Sequence, residues 1–533
     1  MCSSPQICRI KGFNRDKHKM PSLVTENDIA YANEDKANEI ANSLENQFKN
    51  NDISHSPTEY LVRQKVNKFK RSPVSTPITT CKASEIFENI GKFKNNKSPG
   101  IDKISNSMLK RLPLKITFGI TDLINAILRR HYFPKAWETA IAFSILKPGK
   151  KTQKADSYRP ISLLSTSSKL TEAIILQRLS TITEEKLIPF QFGFRKKLST
   201  TDQLLRMTEI IRDNLENGRD TGAVFIDIAK TFDRVWLEGL IYKMIVMSIP
   251  DGLIKLMNSY LHGRGFTVRV GNSFSSGRII EAGVVQGSRL GPQCFSIFVN
   301  DITRNQETHI CMYDDDTAIM STGISQHSIS GNLNTYLAEV GKWLIKWKIM
   351  VNVDKSQAVY FTRKRNPPPS TLYRKPIQWS NETVYLGVTI DKTLTYNSHI
   401  TKVRNKFNAA KLKLHPLLGK HSKLSLDNKL LTYKSLLRPI ITYANPVWGA
   451  AAETYLKKLE SLQKIARQVT NSPWYFRNNN ILKDLNLQII AGHNLKLAKN
   501  FFRKVDNSTN KALSTIPDYD LWHHRGIWQY PDL

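Results

Sequence analysis

The chain has 533 residues, of which 40% are hydrophobic, and 78 Lys and Arg against 45 Asp and Glu give it a net charge of +33. This length exceeds what one hydrophobic core usually serves, so we expect two or three domains. The positive charge is spread along the chain and indicates a polyanionic partner, although a merely soluble basic protein would share that composition.

Cysteine content and hydropathy further limit the class of protein to which this chain can belong. The cysteines are odd in number and show no CxxC spacing, which predicts neither a disulfide framework nor a zinc knuckle; they are Cys2, Cys8, Cys81, Cys294 and Cys311. No apolar run reaches the length of a membrane span, and residues 1–20 are basic and polar without the apolar core of a signal peptide. We therefore expect an intracellular protein with no membrane partner.

In chain order, residues 1–30 show no periodicity and are predicted to be disordered, and residues 72–80 form a polar linker. Residues 1–80 are thus interpreted as an N-terminal extension, partly helical or disordered. Helices are predicted at 33–51, 83–93, 116–131, 167–179, 201–215, 237–247, 293–301, 332–347 and 455–469. Strands are predicted at 140–146, 223–226, 267–270, 308–313, 317–320, 358–362 and 383–390. From about residue 400 the pattern is almost wholly helical.

Aspartates at two distant places carry the chemistry. Asp227 ends an apolar strand, and Asp314, Asp315 and Asp316 lie in a predicted tight turn between two apolar segments. A fold that lays these strands side by side gathers carboxylates at one place, as two-metal nucleotidyl transfer requires. Single aspartates are common in turns for structural reasons, but a cluster of like charges carries a repulsive cost that a bound cation would relieve.

Two further segments favour phosphate and nucleotide binding. Lys147 and Arg159 flank a basic loop between two strands, where a point charge and a bidentate fork could hold a triphosphate. Taken alone, this is only a basic hairpin. Residues 283–292 hold three glycines, which allow close approach of a nucleotide, and Gln286 offers an amide there.

The order of these motifs carries a family resemblance. They are Lys147-Pro148-Gly149, Arg159-Pro160-Ile161-Ser162-Leu163, Gln191-Phe192-Gly193-Phe194-Arg195, Asp227 to Phe232, Gln286-Gly287-Ser288 to Leu290-Gly291-Pro292, Tyr313 to Asp316, and Tyr385-Leu386-Gly387-Val388. This series resembles the reverse transcriptase of non-LTR retrotransposons. The segment from Arg438 to Gly449 is most similar to jockey-type elements.

The resemblance implies an α+β right-hand polymerase, with fingers and palm at 81–400 and a helical thumb and C-terminal region at 401–533. It implies an RNA-directed DNA polymerase that joins a dNTP to a primer 3′-hydroxyl with two Mg²⁺ ions, or with Mn²⁺. An RNA template, a DNA primer or target and dNTPs are the implied partners, in a ribonucleoprotein of nucleus and cytoplasm. Elements of this type also place an endonuclease before the polymerase, so we expect a truncated reading frame.

Site residues follow from the same resemblance. Asp227, Asp315 and Asp316 would be the catalytic metal ligands. Phe232 would exclude a 2′-hydroxyl, or else be a core phenylalanine. The remaining residues implied for dNTP binding are Lys147, Arg159, Gln286, Gly287 and Lys355, the last with a solvated surface lysine as its alternative. Tyr385, Leu386 and Gly387 would form the primer grip.

Three positions depart from the family pattern. Asp314 stands where the family has a small residue, and an added anion near the primer end would oppose binding by roughly 1–4 kcal/mol. Val285 and Arg289 replace a usual proline and a usual aliphatic residue. A nucleic-acid-binding remnant without catalysis is therefore the second hypothesis, and a host-domesticated protein is the third.

Overall fold

The computed structural model describes residues 20–25, 29–228, 231–362, 370–419, 421–449 and 451–514. Its strands are β1 (Leu23–Val24), β2 (Ile29–Ala30), β3 (Thr139–Leu146), β4 (Tyr158–Leu163), β5 (Asp220–Ile226), β6 (Gly265–Val270), β7 (Ser273–Phe274) and β8 (Arg278–Ile279). The second half adds β9 (His309–Tyr313), β10 (Asp316–Gly323), β11 (Gln357–Phe361), β12 (Ser370–Leu372), β13 (Lys375–Ile377), β14 (Trp379–Ser380), β15 (Glu382–Tyr385) and β16 (Val388–Asp391).

The α-helices surround and follow these strands. Up to residue 346 they are Asn33–Gln47, Ser56–Arg71, Ala83–Gly91, Asn106–Leu109, Leu114–Arg130, Thr166–Thr183, Thr200–Glu216, Leu237–Val246, Asp251–Leu261, Gly291–Phe298 and Gln326–Lys346. After β16 they are Asn397–Lys413, His415–Leu418, Leu426–Thr432, Arg438–Thr442, Asn445–Trp448, Glu453–Glu460, Ile465–Thr470, Asn478–Asp484 and Ile490–Asp506. The predicted α+β class is confirmed.

The central sheet has the strand order β14-β11-β5-β10-β9, and β5 lies in its middle. Every residue of β5 is buried, because helices pack on both of its faces. On one face a Cβ added at Gly222 would lie 2.8 Å from Leu333 and 2.9 Å from Ile329, both on the helix Gln326–Lys346. A side chain at this position would force Leu333 and Ile329 to move, so glycine allows the close approach of the helix.

A second sheet, β4-β3-β6-β7 with β8 beside β6, is covered by the N-terminal helix Asn33–Gln47. Ile40 and Leu44 of that helix join Phe266 and Val268 of β6 in one buried cluster. Phe48 closes the cluster with an edge-to-face contact on Phe266, 5.3 Å between ring centroids. The N-terminal extension is therefore packed against this sheet by its apolar face.

Four predictions on local structure were wrong or incomplete. Within the segment predicted to be disordered, Leu23–Val24 and Ile29–Ala30 form the β1–β2 pair, with Leu23 fully buried. Residues 1–19 and 26–28 lie outside the described part. The predicted strand at 383–390 is the hairpin β15–β16. The predicted helix at 455–469 is broken by the 3₁₀ turn Ser461–Lys464. The helices Ser56–Arg71 and Asp251–Leu261 were not predicted.

After β16 the chain is helical as far as the structure describes it, from Asn397 to Asp506. Helices from Asn397 to Asp506 enclose Trp448, which is 1% exposed, and share one continuous core with the central sheet. Cys81, Cys294 and Cys311 are free thiols, in agreement with the cysteine spacing. Among the described residues, no helix combines the length and the apolar character that crossing a membrane requires.

An ion-pair cluster joins the helix Ser56–Arg71 to the helix Leu237–Val246. The Oε1 atom of Glu238 lies 2.8 Å from Lys70 Nζ and 3.5 Å from His262 Nε2. The hydrogen bond from His262 and then that from Lys70 lower the pKa of Glu238 to about 2. A carboxyl whose pKa is lower in the folded than in the unfolded chain stabilises the folded state at a pH above its unfolded pKa. This stabilisation is lost as the pH falls toward the pKa in the folded state.

Glu238→Gln is therefore expected to lower the melting temperature at pH 7, at a cost of at most about 1 kcal/mol because the cluster is partly solvated. The difference from the wild type should shrink below the ordinary carboxyl pKa of 4.5 and vanish toward pH 2. Thermal melts across this pH range measure it. Glu88→Gln, which removes the exposed Glu88–Lys92 pair, is the control and should change little at any pH. A pH-independent effect of Glu238→Gln would contradict the linkage.

Candidate active site

Strands β9 and β10 are joined by a two-residue acidic turn. Tyr313 pairs with Asp316 in the register of these antiparallel strands, so Asp314 and Asp315 form the turn itself. Asp314 has a φ of +56°, the left-handed conformation that Asp tolerates better than most residues. The predicted acidic turn between apolar strands is thus present.

Asp227 follows directly after β5, at the same end of the central sheet. Ile226 pairs with Thr317, which carries Asp227 to the level of Asp316 on the neighbouring strand. Its backbone is held on the other side: Asp227 N donates to Ser356 Oγ (3.2 Å), and Asn352 N donates to Asp227 O (2.9 Å). The sheet therefore brings Asp227 and the acidic turn together, as predicted. Residues 229 and 230 of this motif lie outside the described part.

The carboxyl groups of Asp315 and Asp316 both have raised pKa values. Desolvation first, with repulsion from Asp227, raises the pKa of Asp315. Asp316 is exposed at the rim, yet desolvation by the surrounding chain and repulsion from Asp315 and Asp227 raise its pKa to about 6. Such a set of hard oxygen donors suits a divalent cation, which would remove the repulsion. Within the described residues, however, no three His, Cys, Asp or Glu side chains are already arranged as a complete metal site.

Asp314 turns toward the Gln191–Arg195 motif. A Cβ added at Gly193 would lie 1.9 Å from Asp314 Oδ1, so only glycine fits beneath this side chain. Gln191 fixes the turn from below, since its amide donates to Asp314 O (3.2 Å) and its Oε1 accepts from Asp314 N (3.2 Å). Asp314 Oδ1 is buried without a hydrogen-bond partner. Desolvation, then repulsion from Asp315 and Asp316, raises the pKa of Asp314 to about 7.

The basic residues predicted for triphosphate binding lie on β4 and at the end of β3. Arg159 is exposed on β4 and close enough to Asp315 to lower its pKa, against the larger effect of desolvation. Lys147 Nζ donates to Asp156 O (2.8 Å), and desolvation lowers the pKa of Lys147. Arg159 is therefore close enough to Asp315 to interact with it electrostatically, and Lys147, at the end of the neighbouring strand β3, is anchored beside Arg159.

The glycine-rich loop, residues 283–292, contacts both Asp233, which follows β5, and Ser162 on β4. Gln286 Nε2 donates to Asp233 Oδ1 (2.7 Å), and Ser162 N on β4 donates to Gln286 O (3.2 Å). Gly283 and Gly287 both have a φ of +96°. A Cβ would lie 2.5 Å from Asp233 O at Gly283 and 3.1 Å from Ser162 O at Gly287, so neither position admits a side chain without movement.

Asp233 is also reached from the N-terminal extension. Gln47, at the end of the first helix, donates a side-chain hydrogen bond to Asp233 Oδ2. Phe48 O accepts from Glu281 N (3.2 Å) and Ala282 N (2.9 Å), just before the glycine-rich loop. The extension thus supports this loop from behind, a contact that sequence reasoning missed because it joins residues far apart in the chain.

Phe232 lies beneath the site and is partly buried. Its ring packs against Phe295 (4.7 Å between centroids) and edge-to-face against Phe194 (5.7 Å). Val284 N donates to Phe232 O (2.7 Å), which fixes its position relative to the glycine-rich loop. The geometry is compatible with a core phenylalanine and with a ring under a nucleotide sugar, so its role in sugar selection stays a prediction.

The structure also shows the surroundings of Arg289 and Val285, which depart from the family pattern, and of Lys355, a predicted dNTP-binding residue. The guanidinium of Arg289 lies 4.8 Å from the centroid of the Phe93 ring, a cation–π contact that gives this unusual residue a packing role. Val285 is buried. Lys355 is exposed in the turn Val353–Lys355, whose flanking residue Ser356 holds the backbone of Asp227.

The predicted primer-grip hairpin is present as β15–β16. Leu386 and Gly387 form its two-residue turn, with φ values of +46° and +80°. Tyr385 is 3% exposed, and its hydroxyl donates to Cys311 O (3.2 Å) on β9 and lies 3.4 Å from Asp316 O. Tyr385 therefore supports the acidic turn from inside, and the exposed residues of the hairpin include Val384 and Gly387.

Tyr443, which the sequence did not single out, joins that turn to the C-terminal helices. Its hydroxyl lies 2.8 Å from Leu386 O and 3.0 Å from Thr200 Oγ1. The ring covers Gly387, where an added Cβ would lie 3.4 Å from it. The only sequence signal was its place within the segment from Arg438 to Gly449.

Comparisons with known proteins identify the family to which this chain is similar. Residues 145–390 match the family model described as reverse transcriptase (RNA-dependent DNA polymerase). The RNA-directed DNA polymerase from mobile element jockey of Drosophila funebris is 36% identical over 489 residues, which are 89% of this chain and 53% of that protein. The probable RNA-directed DNA polymerase from transposon X-element of Drosophila melanogaster is 35% identical over 83% of this chain and 49% of that protein.

The chain spans about half the length of the curated relatives it matches. A solved telomerase chain from Candida tropicalis is 14% identical over 48% of this chain and 54% of its own, with a TM-score of 0.34, too low to support an argument. The family match covers the segment that holds the acidic turn, Asp227 and the glycine-rich loop. The chain therefore belongs to the reverse transcriptases of jockey-like non-LTR retrotransposons.

Proposed function

We propose that this chain is an RNA-directed DNA polymerase that extends a primer 3′-hydroxyl with dNTPs. The observation that carries the proposal is the convergence of Asp227, Asp315 and Asp316 at one end of the central sheet, opposite Arg159. Converging carboxylates facing a basic side chain are what phosphoryl transfer from a triphosphate requires, because positioning and electrostatics supply most of the rate.

Asp227, Asp315 and Asp316 would hold divalent cations, two Mg²⁺ ions or Mn²⁺ in their place. Bound there, the metal would neutralise triphosphate charge and favour ionisation of the primer hydroxyl. The raised pKa values of Asp315 and Asp316 support this assignment, since three carboxylates so close together gain from a shared counter-charge.

Other residues would bind and orient the nucleotide. Arg159, exposed and facing the carboxylates, would hold the triphosphate, with Lys147 beside it and Lys355 near the leaving pyrophosphate. Gln286 and Gly287 would line the pocket for the nucleotide and template, where the absence of a Cβ at Gly287 lets the loop lie against the backbone of Ser162 on β4.

In the right-hand description, the second sheet would belong to the fingers and the central sheet to the palm, together spanning residues 81–400. The helices after residue 400 would form the thumb, and the Leu386–Gly387 turn would grip the primer. The charge of +33 supports binding of an RNA template and a DNA primer through phosphates, with an affinity that falls steeply with salt. We place the protein in a ribonucleoprotein of the nucleus and cytoplasm.

Primer extension tests the proposal. The purified chain is incubated with Mg²⁺, dNTPs and a labelled DNA primer annealed to an RNA template, with EDTA as the metal-free control. We expect products longer than the primer only when Mg²⁺ is present. Extension on a DNA template alone, with none on RNA, would contradict RNA-directed synthesis.

Phe232→Val tests sugar selection at the same site. If the Phe232 ring excludes the 2′-hydroxyl, the smaller side chain should raise the relative use of rNTPs by about 10-fold or more. The ratio of kcat/KM for an rNTP and the matching dNTP measures it. Phe298→Val, at a buried core phenylalanine of the adjacent helix, should lower stability without changing that ratio. An unchanged ratio for Phe232→Val would leave Phe232 as a core residue.

Tyr443→Phe tests the link between the helical region and the hairpin turn. Loss of the hydroxyl removes the bonds to Leu386 O and Thr200 Oγ1, worth about 0.5–1.5 kcal/mol. We expect the primer–template to dissociate about 2- to 10-fold faster, with little change in single-nucleotide addition. Trap-limited extension measures it, and the exposed Tyr132 provides the control Tyr132→Phe. A lower single-nucleotide rate with unchanged dissociation would contradict this role.

The second candidate function is nucleic-acid binding without catalysis. The carboxylate of Asp314, whose Oδ1 is buried without a hydrogen-bond partner beside Asp315 and Asp316, favours it, because an extra anion there opposes a primer end and a triphosphate. Template binding with no extension by the wild type, and extension restored by an Asp314 variant, would select this candidate.

A further inference from the structure

A loop in the helical region exposes three consecutive aromatic side chains. It joins the helices Ile465–Thr470 and Asn478–Asp484 and carries Trp474, Tyr475 and Phe476, which are 84%, 66% and 48% exposed. Large rings usually bury most of their surface in a folded protein. Three in a row left open to solvent mark a surface that binds something.

The loop is tied down at both ends. Arg467 Nη2 donates to Phe476 O (2.6 Å), and Ser472 N donates to Arg467 O (3.1 Å). Asn471 ends the preceding helix with a φ of +56°, the left-handed conformation common after helices. The next helix is anchored by the buried residues Ile481 and Leu482. The aromatic rings are therefore presented from a defined turn.

The rings do not pack face to face into a closed cluster. Trp474 and Tyr475 meet nearly at right angles, 83° with 6.0 Å between centroids. Tyr475 and Phe476 are tilted by 33° at 5.4 Å. This arrangement and the high exposure of Trp474 leave ring faces open for a further planar group.

The surrounding charge defines what that group belongs to. From residue 464 to residue 484, where the second helix ends, the sequence holds four basic residues, Lys464, Arg467, Arg477 and Lys483, and one acidic residue, Asp484. Lys464, Arg477 and Lys483 are exposed. Aromatic faces within a mainly basic rim suit a polyanion with planar groups, and much less a second apolar surface.

We propose that the loop of Trp474, Tyr475 and Phe476 is a stacking platform for unpaired nucleic acid. Bases of a single strand stack on the rings while its phosphates meet the basic rim. A duplex hides its base faces and gains only the phosphate contacts. The inference goes beyond the proposed polymerase activity, because strand binding here needs neither the carboxylates nor a metal ion.

Binding by the full-length chain in EDTA tests the platform. The probe is a labelled single-stranded RNA of about 12 nucleotides, within the range of site sizes of such platforms. Trp474→Ala and Tyr475→Ala are each expected to raise its Kd by roughly 5- to 150-fold, the effect of losing one stacked base. Trp474→Phe keeps a ring and should keep most of the affinity. Tyr60→Ala, at a tyrosine equally exposed at 66%, is the matched control.

Crosslinking locates the bound strand without relying on a variant. The same RNA carrying 4-thiouridine should crosslink within residues 465–484 under ultraviolet light, and a blunt duplex should not. Wild-type affinity in the Trp474 and Tyr475 variants, or crosslinks only outside this segment, would overturn the proposal. A change in oligomeric state with unaltered RNA binding would overturn it too, in favour of a protein–protein contact. Because the assay contains no metal or dNTP, its result is independent of polymerase activity.

Discussion

Asp315→Asn is expected to abolish primer extension while leaving the fold intact. Asp315 is partly buried between Asp227 and Arg159, so its charge is felt where the triphosphate would react. Losing one carboxylate ligand removes several kcal/mol of charge stabilisation in the transition state. About 4 kcal/mol corresponds to a rate roughly 10³-fold lower. Asp227→Asn should have the same effect.

Single-turnover extension on an RNA template measures this loss, with melting temperatures recorded alongside. The melting temperature should be unchanged or higher, because the substitution removes repulsion among the carboxylates. The control is Asp354→Asn, at an exposed aspartate in the turn beside Lys355, which should keep its activity. Extension that survives loss of Asp315 would refute the site assignment.

Asp314→Asn is expected to raise both the stability and the activity of the chain. Asparagine tolerates the left-handed backbone at this position and fits above Gly193, whereas alanine would add backbone strain of about 1 kcal/mol. Its amide carries no charge to repel Asp315 or a primer end. Relief of that repulsion, about 1–4 kcal/mol at short range, corresponds to a gain of roughly 5-fold to 10³-fold in kcat/KM.

The stability effect has a defined pH dependence. The folded pKa of Asp314, about 7, lies above its ordinary value of 3.8, so the unfolded chain releases this proton first. Wild-type stability therefore falls as the pH rises from about 4 to 7, and the penalty is complete above pH 7. The melting temperatures of Asp314→Asn and the wild type should coincide near pH 4 and diverge up to pH 7.

Thermal melts in EDTA and extension assays at pH 8 measure the two effects. The control Asp427→Asn replaces an exposed aspartate of the helical region and should alter neither. If Asp314→Asn lowers activity, the carboxylate contributes to the site and the hypothesis of a nucleic-acid-binding remnant fails.

Much of the central sheet and the acidic turn could be predicted from the sequence. Short apolar runs that end in aspartates can be recognised from neighbouring residues alone. They predicted both the strands and the acidic turn between β9 and β10. The helix Ser56–Arg71 gave no such signal, since its buried stripe is only Thr58, Val62 and Val66 between many charges. The predicted helix at 455–469 failed for a long-range reason. Gln463 is buried and pairs with Gln488 O and Ile490 N, which holds the tight turn that breaks the helix.

The candidate active site also contains residues that the sequence predicted and residues that it could not predict. Residue type and order predicted Asp227, Asp315 and Asp316, and the strand register brings them together. The spacing of residues in the sequence could not predict that the side chain of Asp314 packs against Gly193. This contact depends on the left-handed backbone conformation of Asp314 and on a segment far away in the chain. Tyr443 was missed because its partners, Leu386 and Thr200, lie 57 and 243 residues away.

The first helix also sets where this chain can be cut for expression. A fragment that starts at residue 81 would lose Phe48 and Gln47, so β6 would expose Phe266 and Asp233 would lose the hydrogen bond from the Gln47 amide. The match to the family model, residues 145–390, is therefore smaller than the unit that folds. A minimal fragment for crystallisation or assay should begin before β1, with its N-terminal boundary upstream of Leu23.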